Sequence, residues 1–109
     1  MSAGAVRLEQ LRKMLGDSPA DRDLRYFLAL EYFQLERYPE ALMELEEYFR
    51  SGDDEGMGYR MRGVCLFHLG RKAEARSCLQ AGIQAALRHH HGDLAADIEE
   101  TVGELFQAS

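Results

Sequence analysis

Apolar side chains recur along the chain at the three- and four-residue spacing that is typical of amphipathic α-helices. Near the N terminus this spacing joins Val6, Leu8, Leu11, Met14 and Leu15. Near the C terminus it joins Leu94, Ala95, Ile98, Val102, Leu105 and Phe106, and the opposite face there is acidic. The pattern predicts six helices and no strand, over about residues 4–15, 19–35, 39–50, 57–69, from 71 to 87 or 90, and from 94 onward.

Residues that favour helix ends lie between these stretches. Ser18-Pro19 combines a good N-cap with a proline at the first helical position, so we expect the second helix to begin there. Glu36-Arg37 precedes Pro39 and predicts a tight turn. Gly70 is placed to end the fourth helix as a C-terminal glycine.

The central part of the chain contains a repeated pattern. The same interval separates Ala29 from Gly63, Ala41 from Ala75, and Leu45 from Leu79. A fixed period in this range is typical of repeat proteins. Each copy has a small residue followed twelve positions later by another small residue, which predicts two antiparallel helices in close contact.

This pattern resembles the tetratricopeptide repeat, whose signature is an aromatic residue, Leu-Gly, Tyr, a later Ala-x-x-x-Phe and a closing Pro. Tyr59, Gly63 and Ala75 match the signature, whereas Arg62 stands at its Leu position, and Asp53 and Leu87 replace the closing proline. The resemblance implies an all-α, right-handed solenoid of antiparallel helix pairs. It divides a single domain, residues 1–109, into a covering helix (1–18), two repeats (22–55 and 56–89) and a capping helix (92–109).

Charge and composition disfavour some classes of function and location. The net charge of −6 over 109 residues disfavours a nucleic-acid partner, because phosphate binding needs clustered Lys and Arg. No apolar run reaches the roughly 18–20 residues that span a membrane, and the N terminus lacks the layout of a signal peptide, so we expect a cytoplasmic protein. The two cysteines, Cys65 and Cys78, are interpreted as apolar packing residues.

No motif predicts catalysis or a cofactor. The chain has no Gly-x-Ser-x-Gly elbow, and Gly56-Met57-Gly58 lacks the lysine of a phosphate-binding loop. His89, His90 and His91 are the one metal-like cluster, but adjacent helical residues point in different directions. We therefore interpret them as a helix C terminus, where histidine suits the dipole, and expect neither metal nor enzymatic activity.

In tetratricopeptide proteins the first helix of each pair lines a concave groove that binds partners. Carried over to this sequence, the groove residues are Tyr26, Phe27, Leu30, Phe33 and Gln34 in the first copy, and Met57, Arg60, Met61, Val64, Phe67 and His68 in the second. Their apolar character favours an adaptor that binds a peptide or helix of another protein. The alternative is a structural subunit, such as a homodimer, that self-associates through the same groove.

Overall fold

The computed structural model describes residues 2–107, and within this range it contains helices and no strand. The helices are α1 (Ala3–Asp17), α2 (Arg22–Gln34), α3 (Tyr38–Arg50), α4 (Met57–His68), α5 (Lys72–Arg88) and α6 (Gly92–Phe106). The prediction of an all-α fold with six helices is therefore confirmed. The chain forms two compact units, Met1–Gly52 and Asp53–Ser109. None of the helices in the described part is both long and apolar enough to cross a membrane.

The predicted start of α2 was wrong by almost one helical turn. Ser18 is the C-cap of α1, and its backbone N–H donates to the carbonyls of Met14 and Leu15. Ser18 is therefore not the N-cap of α2, and Asp21 takes that place by accepting a hydrogen bond from the backbone N–H of Leu24 at 3.1 Å. Pro19 and Ala20 instead form a turn, in which the backbone N–H of Asp21 donates to the carbonyl of Ser18 at 2.9 Å, and α2 begins after this turn.

In the first unit, α2 lies against both α1 and α3. Its contact with α3 buries the small residues Ala29 and Ala41 together with Leu45, all of which are fully inaccessible to solvent. Its contact with α1 buries Glu31, whose carboxylate accepts a hydrogen bond from Arg7 Nε at 2.9 Å. Burial of a carboxylate is costly unless it is paired, and Arg7 supplies the partner.

In the second unit, α5 packs against α4 on one side and α6 on the other. A Cβ atom at Gly63 would lie 2.6 Å from Leu79 Cδ2, which confirms that α4 and α5 approach closely at the predicted small residue. The core on the α6 side consists of Leu79, Ile83, Ala86, Ala95 and Ile98. The small side chains of α5 thus let both neighbouring helices approach its backbone.

Three helix ends share one backbone conformation. After α2, α4 and α5 the chain takes a positive φ at Glu36 (58°), Gly70 (80°) and His90 (62°). In each turn the next residue donates its backbone N–H to a carbonyl in the last turn of the preceding helix, for example Arg37 to Tyr32 at 2.9 Å. This is the Schellman motif, whose left-handed position favours glycine. Gly70 meets that preference, as the sequence predicted.

The two turns that close the first helix of each pair also carry the same ion pair. Arg37 Nη2 lies 2.6 Å from Glu40, and Arg71 Nη2 lies 2.7 Å from Glu74. In both turns the hydrogen bond from the arginine holds the pKa of the glutamate carboxyl below its ordinary value. These residues are one repeat period apart in sequence, so the repeat extends to the turns, where the helical pattern could not reveal it.

Replacing Glu36 with glycine is expected to raise the free energy of unfolding by about 0.5–1 kcal/mol. Left-handed backbone costs a non-glycine residue about 1–2 kcal/mol, which exceeds the added chain entropy of about 0.4–1 kcal/mol. Urea unfolding measures the change. The matched control, Gln34→Gly, lies in the last turn of α2 and should instead lose up to about 1 kcal/mol. If Glu36→Gly and Gln34→Gly lowered the free energy of unfolding equally, the left-handed conformation of Glu36 would be contradicted.

Candidate protein-binding site

The first set of predicted groove residues, here called the α2 face, consists of Tyr26, Phe27, Leu30, Phe33 and Gln34. Phe27 is 50% exposed and Gln34 is exposed, whereas the other three are half-buried. The ring of Tyr26 lies 5.5 Å from that of Tyr48, and the ring of Phe33 lies 5.9 Å from that of Tyr38. Both partner tyrosines belong to α3, so Phe27 and Leu30 are the outward apolar part of the α2 face.

Arginines at the start of α2 fix its orientation against α3. The Arg22 guanidinium stacks 3.8 Å from the ring centre of Tyr48, and its Nε donates to the Tyr48 carbonyl at 3.2 Å. One turn later, Arg25 Nη1 lies 2.8 Å from Glu44 Oε1, with both side chains largely buried. Since Arg22 and Arg25 face α3, Phe27 is held on a different side of the helix, where its ring meets solvent.

The second set, the α4 face, consists of Met57, Arg60, Met61, Val64, Phe67 and His68. Met61 is buried, Val64 and Phe67 are half-buried, and Met57, Arg60 and His68 are exposed. Phe67 has a neighbour equivalent to that of Phe33, because Lys72 Nζ lies 5.3 Å from its ring and Lys72 stands one repeat period after Tyr38. The pattern of the repeat therefore extends to this pair of contacts.

Helix α6 covers part of the α4 face. Arg60 Nε donates to Thr101 Oγ1 at 3.1 Å, and the ring of Phe67 packs edge to face on Phe106 at 5.3 Å. Phe106 is covered in turn by the Arg76 guanidinium, 4.1 Å from its ring centre. Helix α6 therefore occupies the parts of the α4 face near Arg60 and Phe67.

Sequence reasoning missed Thr101, Phe106 and Arg76 as neighbours of the predicted site. The sequence pattern placed Phe106 on the apolar face of the last helix, but it did not indicate which helix this face contacts. The useful signal was the start of α6, which follows the start of α4 by the same interval as α4 follows α2. That spacing places α6 as the first helix of a further pair, which should lie beside α4.

The cysteines are buried packing residues in this structure. Cys65 and Cys78 are both buried thiols, and the Cys78 thiol donates to the carbonyl of Tyr59 at 3.3 Å. Burial raises the pKa of the Cys65 thiol to about 12, and the nearby Cys78 adds to the shift. A thiol that stays protonated at neutral pH is a poor nucleophile and a poor metal ligand.

The three histidines lie in the turn between α5 and α6 rather than within a helix end. His89 is the C-cap of α5 and His91 the N-cap of α6. His89 Nδ1 and His91 Nε2 each lie 3.2 Å from Glu55 Oε1. These contacts connect the turn to the segment that precedes α4. Among residues 2–107, no group of three or more His, Cys, Asp or Glu side chains is arranged to hold a metal ion.

Comparison with known families agrees with this architecture. A family model described as Tetratricopeptide repeat matches residues 26–88, which is more than half of the chain. The match runs from within α2 to the end of α5. The chain belongs to the tetratricopeptide repeat family, whose members generally mediate protein–protein interactions. Searches of curated proteins and of solved structures gave no significant match.

Proposed function

We propose that this protein is a non-enzymatic adaptor that binds a peptide or helix of a partner protein on the α2 face. The observation that carries the proposal is the half-exposed side chain of Phe27, which projects from a helix packed against both α1 and α3. The family makes protein binding the expected activity, and the exposure of Phe27 supports the α2 face as its location.

The α2 face has the chemistry of a small apolar docking surface. Phe27 and Leu30 are one helical turn apart, and the Tyr26 ring supports the Phe27 ring edge to face at 6.0 Å. An aromatic side chain that is already ordered loses little entropy on binding, and buried aromatic anchors dominate the energy of protein interfaces. Exposed Gln34, two turns after Phe27, can donate and accept hydrogen bonds at the rim.

For the second unit, taken by itself, we propose a separate and weaker protein-binding surface on the α4 face. Met57 is half exposed at the start of α4, and a methionine side chain adapts to partners of different shape. Arg60 and Phe67 already contact α6, so a partner could use them only by displacing or extending those contacts. We therefore assign most of the binding energy to Phe27 and Leu30.

Replacing Phe27 with serine is expected to weaken partner binding by about 2 kcal/mol or more, which is about thirtyfold. Because half of the ring is already exposed, the free energy of unfolding should fall by only about 0.5–1 kcal/mol. Tagged wild type and variant are used to capture proteins from the native host, and mass spectrometry identifies those lost with the variant.

The matched control is Met43→Ser on α3, where the side chain is 65% exposed and lies outside the α2 face. Proteins captured by wild type and by this control but lost with Phe27→Ser are partners of the α2 face. Identical capture by all three proteins would refute the assignment. If the lost species is this protein itself, light scattering across a dilution series should show a dimer that Phe27→Ser disrupts, and the function is then self-association.

A further inference from the structure

Helix α1 has an exposed stripe on the side away from the buried Leu8 and Leu15. Ala3, Val6, Gln10 and Met14 follow one another at three- and four-residue spacing, and all four are exposed. Val6 is 40% and Met14 51% exposed, although both are apolar. We call these four residues the α1 stripe. Lys13 and Arg7 border it with positive charge, and Arg7 keeps 57% of its side chain exposed while it binds Glu31.

The corresponding side of α3 is a helix-pairing surface. One repeat period before Ala41, Leu45 and Tyr48 stand Arg7, Leu11 and Met14. The three α3 residues are buried, and the Tyr48 ring contacts Tyr26 of α2. On α1 the equivalent residues Arg7 and Met14 are more than half exposed. On this side of α1, Leu11 is half-buried, and Met14, which belongs to the α1 stripe, is left more exposed than its α3 counterpart Tyr48.

Helix α6 has an exposed side of complementary character. Ala96 and Gly103 are exposed two turns apart, and a Cβ atom at Gly103 would meet no atom within 4 Å. Glu99 and Glu100 are exposed between them, and α6 carries five acidic residues and no basic one. We call Ala96, Glu99, Glu100 and Gly103 the α6 side. Its small side chains allow a second helix to approach closely, and its carboxylates favour a helix with positive charge.

We propose that two copies of this protein associate, with the α1 stripe of one copy packed on the α6 side of the other. Val6 and Met14 are separated by about 12 Å along α1, and Ala96 and Gly103 by about 10.5 Å along α6, at about 1.5 Å per residue. Each apolar side chain of the stripe therefore has a small residue to pack on. Arg7 and Lys13 then lie near Glu99 and Glu100, where opposite charges select this pairing over α1 with α1 or α6 with α6.

This contact joins different surfaces of the two copies, so each copy keeps one free α1 stripe or one free α6 side. Such heterologous contacts produce rings when they close and open chains when they do not. The assembly would thus place several α2 faces along one particle. The inference is independent of the proposed function, because it uses neither Phe27 nor any other residue of the α2 face.

Two variants test the proposal, one that blocks the α1 stripe and one that blocks the α6 side. Met14→Glu puts a carboxylate in the α1 stripe, and the double variant Glu99→Lys with Glu100→Lys reverses the charge of the α6 side. Sedimentation velocity of wild type should show mass that increases with concentration and falls at high salt. Each blocked protein alone should be monomeric, with the association weakened about tenfold or more. An equimolar mixture should form a dimer and nothing larger. The intact α6 side of Met14→Glu can then pair only with the intact α1 stripe of the double variant.

Met43→Glu is the matched control, since it places the same charge on an exposed methionine of α3 and should leave assembly unchanged. Circular dichroism of every variant checks that the helices are retained. A wild type that stays monomeric throughout the concentration series would overturn the proposal. So would a mixture of the two blocked proteins that stays monomeric, or a wild-type dimer that neither blocking variant affects.

Discussion

Replacing Ile98 with alanine is expected to lower the free energy of unfolding by about 2–5 kcal/mol, the range for truncating a large aliphatic side chain in a core. Ile98 is completely buried in the contact of α6 with α5, where it packs in the cluster with Leu79, Ile83 and Ala86. Its Cδ1 lies 3.4 Å from the position that a Cβ atom at Gly82 would take, so this methyl group reaches the α5 backbone. Urea denaturation followed by circular dichroism gives the change.

Leu87→Ala is the matched control for this variant. Leu87 is also an aliphatic residue of the second unit, but it is 51% exposed on α5. Its truncation removes little buried area, so we expect a loss of about 0.5 kcal/mol or less. If Ile98→Ala and Leu87→Ala unfold at the same urea concentration, α6 is not packed on α5 as the structure has it.

Replacing Gly63 with leucine should destabilise the protein by about 1–3 kcal/mol, the usual cost of adding bulk to a packed contact. A Cβ atom at this position would already lie 2.6 Å from Leu79, which is fully buried and has no room to move away. Because the added side chain would separate α4 from α5, the thermal midpoint should fall together with the cooperativity of the transition.

The control is Gly103→Leu, also in a helix but with open space around it. Leucine has the higher helix propensity, so this variant should be unchanged or gain up to about 1 kcal/mol. Gly58, on the first turn of α4, is buried and cannot serve as the control. Similar losses in Gly63→Leu and Gly103→Leu would show that the pairing of α4 with α5 is out of register.

The sequence predicted the helices and their pairing because the repeat sets both. Ala29, Ala41 and Leu45, and their counterparts Gly63, Ala75 and Leu79, are buried where the repeat period required it. The start of α2 was predicted less well, since Ser18 and Asp21 are both good N-caps and only the backbone shows which helix uses each. The division into repeats 22–55 and 56–89 within one domain stays a prediction.

The sequence predicted which residues belong to the candidate site, but it did not predict which of them are exposed. The family register selects one side of α2 and α4, yet exposure depends on neighbours that the register does not specify. Tyr26 and Phe33 are half-buried against tyrosines of α3, and Phe67 against Phe106 of α6. Phe27, whose ring contacts Tyr26 of its own helix, keeps half of its surface exposed.

The contacts of the histidines also depend on neighbours that the local sequence pattern does not specify. Three adjacent histidines after an amphipathic stretch indicate a helix end, and the sequence cannot show that the helix stops at Arg88. The left-handed conformation of His90 reverses the chain, and this brings His89 and His91 to the same carboxylate oxygen of Glu55. Such a contact joins segments that are distant in sequence and has no counterpart in the local pattern.

The central claim is that the α2 face binds a segment of another protein, and site-specific photo-crosslinking in the native host tests it most directly. A photoreactive phenylalanine analogue is introduced in place of Phe27, and in a second strain in place of Met43, which is more exposed but lies on α3. The account predicts a discrete cross-linked partner from position 27 and none of the same mass from position 43. An identical set of products from the two positions, or none from position 27, would contradict it.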